Sequence, residues 1–122
     1  MAIRYDFIIN GDTLIATASG FDESRDEVRN YGIAIIEAAV KHGSRRVLCL
    51  ETGLEYRLGV VDTFEVAAYI AQHAPHVARI AIVHAIAHAT IARFWETVAV
   101  NRGLTVRVFA DRAEAEDRKS VV

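Results

Sequence analysis

The stretch Arg93-Phe94-Trp95-Glu96-Thr97-Val98-Ala99-Val100-Asn101-Arg102-Gly103-Leu104-Thr105-Val106-Arg107-Val108-Phe109 decides the fold class. Ile91, Trp95 and Val98 fall on one helical stripe, with Phe94 beside it. Asn101-Arg102-Gly103 then stops the helix, because glycine enters the left-handed region without a Cβ penalty. Residues 105–109 follow at once as a β-branched, aromatic strand. A buried helix turning straight into a short strand makes the domain α/β.

Outward from that unit, residues 79–83 read as another strand, joined to the helix by His84-Ala85-Ile86-Ala87-His88-Ala89, with Thr90 as the expected cap. Downstream, Asp111 with Glu114 predicts a short last helix, and residues 118–122 are expected to fray as the tail of a single domain over 1–117. At the other end, residues 5–9 and 14–19 flank Asn10-Gly11-Asp12-Thr13. Asn-Gly suits both central positions of a tight turn, so these two strands predict an antiparallel hairpin. Ser24 followed by Glu27 is a capping box; Val28, Tyr31, Ile35 and Ala39 then share one stripe, and Gly43 ends the helix. Residues 47–50 form a short interior strand, and residues 51–61 read as the longest irregular segment. Asp62 with Glu65 repeats the capping pattern before a helix carrying Val66, Ala67, Ile70 and Ala74, which Pro75 terminates.

Three strand–helix–strand crossovers thus follow the hairpin. With neighbouring strands in sequence order and right-handed crossovers, all three helices lie on one sheet face. Yet Leu48 and Leu50 oppose Val47 and Cys49, and Ile80 and Ile82 oppose Ala81 and Val83, so both faces are apolar. The second face therefore requires a partner subunit or folded-back structure such as the hairpin.

This order of elements resembles the SpoIIAA-like (STAS) family, the fold of anti-sigma-factor antagonists and of the cytoplasmic domains of anion transporters. It is most similar to a bacterial branch of small stand-alone members. The segments that carry the resemblance are 79–83, 92–109 and Asp111-Arg112-Ala113-Glu114-Ala115. The resemblance implies a mixed sheet of about five strands and a non-enzymatic regulatory or protein-interaction role. Antagonists of this family carry a phosphorylated serine in an Asp-Ser-Ser-Gly turn entering the second helix. The matching stretch here is Asp62-Thr63-Phe64-Glu65: Asp62 is retained, Thr63 brings a hydroxyl, and Phe64 stands at the phosphoserine position. The resemblance therefore implies the role without the phosphoserine switch.

Bulk composition agrees with a globular domain. At 122 residues, 52% of them hydrophobic and 25% charged, the chain buries roughly two-thirds of its unfolded surface. A net charge of −2 with scattered Lys and Arg argues against nucleic acid as a partner, and no apolar run is long enough to insert in a membrane. The lone Cys49 suits a reducing compartment, so a cytoplasmic location is expected.

Candidate functional residues gather where the third and fourth strands end, since open α/β sheets place ligands at carboxyl strand ends. The expected binding patch is Glu51, Glu55, Tyr56, Arg57, Thr63, His84 and His88. Glu51 is the least explained of these, an acid directly after an apolar strand with no helix to cap. His84 and His88 stand four apart, a metal-ligand spacing, and His73 and His76 make a second close pair. Neither has the further ligands of a zinc site, so no metal and no cofactor are expected. Trp95 reads as core. The leading expectation is a homodimeric module with a regulatory protein partner. Its rivals are a binder of a small anionic or apolar ligand, and a small acid–base enzyme using His84 and Glu51.

Overall fold

The computed structural model describes residues 2–74 and 78–117. The elements run β1 (Ile3–Asn10), β2 (Thr13–Asp22), α1 (Arg25–His42), β3 (Arg46–Tyr56), α2 (Val60–His73), β4 (Arg79–His84), a 3₁₀ turn (Ile86–His88), α3 (Ala89–Asn101), β5 (Val106–Phe109) and α4 (Arg112–Asp117). They build the expected mixed five-stranded sheet in the order β1-β2-β3-β4-β5. Only the β1–β2 pair is antiparallel.

The hairpin closes through Gly11 and Asp12, with Asn10 facing Thr13. Gly11 has φ +63 and Asp12 does not enter positive φ. Glycine at the first central position replaces the expected Asn-Gly centre, the pattern of a II′ rather than a I′ turn. Ser24 caps α1 as predicted, its hydroxyl accepting from the Glu27 N–H at 3.3 Å. The Glu27 carboxylate does not complete the box. It accepts from the Ile3 N–H at 3.1 Å instead, fastening the start of β1 to α1. Gly20, at φ +98, passes so close to Ala2 that an added Cβ would lie 2.0 Å from its carbonyl oxygen.

α1, α2 and α3 cover one face, where Leu14, Ala16, Val47, Cys49, Ile82 and Val106 meet Tyr31, Ile35, Val66, Ile70 and Ala99. A smaller cluster on the opposite face joins Leu48, Ala81, Val83 and Phe109 to Ala115 of α4. The hairpin does not fold back over that face. It extends the sheet, and the C-terminal helix supplies the cover over β4 and β5. On the outer edge, the Val108 N–H donates to the Glu96 carboxylate of α3 at 2.8 Å, which satisfies an edge-strand donor.

Two sequence expectations fail at the centre of the chain. Residues 51–56 are strand, not loop, because β2 continues to Asp22 and pairs with them. Between the pairs Thr17↔Leu50 and Ser19↔Gly53, β2 advances two residues while β3 advances three. This bulge changes the alternation, so Leu54 and Tyr56 join Glu51, Cys49 and Val47 on the side of the helices. Asp62 also does not cap α2: Gly59 holds the N-cap position without a side-chain bond, and Asp62 sits in the first turn. Pro75, His76 and residues 118–122 lie outside the described residues, so the predicted stop and tail are not placed.

Candidate functional site

The helix-covered face does not close completely. A cavity of about 120 Å³ remains between the sheet and α1, α2 and α3. Its walls are mostly aliphatic, with Ile35, Ile70, Ile82 and Ile91 among them, and the ring of Trp95 borders it. Among the described residues, the carboxylates lining it are Glu51 and Asp22.

Glu51 is 7% exposed. It continues the helix-facing alternation of Val47 and Cys49, where α1 and the end of β3 each bring a tyrosine. The Tyr31 hydroxyl donates to Oε2 at 2.8 Å and the Tyr56 hydroxyl to Oε1 at 2.5 Å. Burial raises the Glu51 pKa above the ordinary carboxylate value; both phenols oppose that shift, the nearby Asp22 charge adds to it, and His84 opposes it. Burial and then the Glu51 charge push both tyrosines well above 10. Asp22 is likewise raised by burial, against the backbone N–H groups of Arg57 and Leu58, which donate to its Oδ1. Cys49 is buried as expected, and burial drives its thiol well above its usual range.

The structure divides the predicted patch into an interior and a rim. Glu51, Thr63 and His84 are buried, and Tyr56 sends its hydroxyl inward while half-buried itself. His84 stands beside Glu51 in the β3–β4 register, but its Nδ1–H donates to the Ala85 carbonyl at 2.8 Å. Glu51 takes its hydrogen bonds from the two tyrosines and His84 gives its own to Ala85, so the expected acid–base pair is not joined by a hydrogen bond. His88 packs its ring 5.1 Å from that of Tyr56 and accepts from the Tyr56 N–H. Glu55 and Arg57 are exposed and pair at 3.2 Å; the Arg57 guanidinium also lies 3.9 Å over the Phe21 ring. Among the described residues no three His, Cys, Asp or Glu gather as metal ligands. Phe64, which the resemblance aligns with the phosphoserine of the antagonists, is exposed beneath the Arg102 guanidinium, while Thr63 is buried.

Tyr31 and Asp22 were not expected at this site. Tyr31 hid within an apolar helical stripe, and its hydroxyl there was the available signal. Asp22 lies beyond the strand expected over residues 14–19, since nothing in the sequence marks the extension of β2.

No protein-family model matches the sequence, and no curated protein matches it. Among solved structures, the chain is similar to an anti-sigma factor antagonist from Mycobacterium paratuberculosis, at a TM-score of 0.64. The match covers 95% of this chain and 92% of that one at 16% identity, a likeness of fold. Among the described residues, no helix is long and apolar enough to cross a membrane. The sheet order, the helix placement and this match together give the chain the five-stranded α/β fold of that anti-sigma factor antagonist.

Proposed function

We propose that the chain is a non-enzymatic regulatory module that docks a protein partner, without a phosphoserine switch. The observation that carries this reading is the apolar surface at the carboxyl end of the sheet. Val60, Val61 and Phe64 on the first turns of α2 are exposed, Val61 at 71%, and Ile86 after β4 is 79% exposed. Large apolar side chains held outward beside the Glu55–Arg57 pair suit an interface with an apolar centre and a charged rim. The shared fold with an anti-sigma factor antagonist supports the same reading.

The test is affinity purification from the source organism with wild-type protein and with a Val61→Asp/Ile86→Asp variant. Partners recovered with wild type should be lost with the variant, while both give the same circular dichroism. Recovery of the same proteins by both would overturn the reading.

A homodimer is also proposed, through the part of the second face that α4 leaves open. There Ile8, 58% exposed, lies across from Ile15 on β2, at the free edge of the sheet. The cytoplasm remains the proposed location, on the lone reduced cysteine.

A further inference from the structure

We propose that the cavity between the sheet and α1, α2 and α3 is a binding site for a small apolar molecule bearing one hydroxyl or amino group. Its ring or chain would lie against Ile70, Ile82 and Trp95, and its polar group would donate to Glu51.

The size of the space sets the class of body. A cavity of ~150 Å³ lined by aliphatic and aromatic side chains holds benzene. The 120 Å³ here suits a single small ring or a chain of about five to seven heavy atoms. The walls supply dispersion contacts and almost no polar atoms.

The chemistry of the head follows from Glu51. A carboxylate offers about four acceptor positions, and the tyrosine hydroxyls occupy one on each oxygen. The remaining positions border an apolar space and call for a donor. An anionic head would meet both Glu51 and Asp22, which lines the same cavity. Charge repulsion in a poorly solvated space excludes it. The two phenols fix the carboxylate in place beforehand, so a ligand need not order it.

The cavity supplies its own reporter, since Trp95 is the only tryptophan and borders the space. The probes are cyclohexanol, cyclohexylamine, cyclohexane and cyclohexanecarboxylate, titrated by Trp95 fluorescence and checked by calorimetry. Cyclohexanol or cyclohexylamine should bind about tenfold tighter than cyclohexane, because a hydrogen bond to a charged group separates them. Cyclohexanecarboxylate should not bind. If the amine is tighter than the alcohol, the head is cationic; the reverse order makes it neutral, and either supports a donor head.

In Glu51→Leu the preference should vanish while cyclohexane still binds, which also reports that the cavity has formed. In Ala92→Leu, which fills the space from α3, binding of every probe should be lost with the circular dichroism retained. Equal affinity for cyclohexanol and cyclohexane in the wild type would overturn the proposal. So would no binding of either, or unchanged affinity in Ala92→Leu. The wild-type ratio decides the question even if Glu51→Leu fails to fold.

Discussion

At the level of single residues, the decisive side chain is Glu51, an acid held inside an apolar layer by two phenols. Its raised pKa has a consequence for stability. The folded state holds the Glu51 proton to higher pH than the unfolded chain does, so stability is full below the ordinary glutamate value and falls as pH rises through the raised one. Asp22 has the same sign, and the groups facing Glu51 are Tyr31, Tyr56, Asp22, His84 and Cys49. Urea unfolding between about pH 4 and pH 8 should therefore show a decline in stability that is smaller in Glu51→Gln. An unchanged slope would mean that Glu51 ionises in the fold as it does in water. Tyr31→Phe or Tyr56→Phe should each cost about 1.5–3 kcal/mol, since each removes a donor to a buried charged group. Arg57→Ala should leave the melting temperature nearly unchanged, because its ion pairs are exposed. The two neighbouring positions are thus expected to respond differently, because the Tyr56 hydroxyl is bonded inside and the Arg57 guanidinium lies at the surface.

Elements meet through a few close contacts that tolerate little change. Gly20→Ala combines φ +98 with a Cβ that would strike the Ala2 carbonyl, so it should destabilise by several kcal/mol, on the order of the largest single-substitution effects. Ser24→Ala removes an exposed cap and should cost only about 1 kcal/mol. Chemical denaturation of the two variants separates a backbone collision from a lost hydrogen bond. Trp95 is half-buried against the core and borders the cavity, so Trp95→Ala should cost about 3 kcal/mol, the low end for tryptophan truncation. A Trp95→Ala protein that melts with the parent would mean that α3 does not seal this face.

For the molecule as a whole, stability depends on covering both faces of one sheet. α4 is short, yet Ala115 is buried against Val83 and Phe109. Ala115→Asp should place an unpaired charge in that cluster and lower the melting temperature markedly, with exposed apolar surface reported by dye binding. Light scattering at about tens of micromolar should give the mass of a dimer, and Ile8→Asp should give that of a monomer. A wild-type monomer would remove the second face as an interface.

Periodicity and turn chemistry in the sequence established the α/β class, the antiparallel hairpin, the Ser24 cap, the Gly43 stop and the burial of Cys49, because these follow from neighbours a few residues apart. That Glu51 needed an explanation was also legible, as a charge that no cap accounted for. Its partners were not. Tyr31 is 20 residues away on another element, and only the packing of α1 over β3 brings the two together. The continuation of β3 to Tyr56 was hidden because strand pairing with β2, rather than local propensity, stabilises residues 51–56. The β3 bulge is likewise a property of two strands in register. It puts Tyr56 on the face that Glu51 shares with Val47 and Cys49, and so brings a second phenol to a buried acid at the edge of a cavity where local sequence suggested a solvated loop.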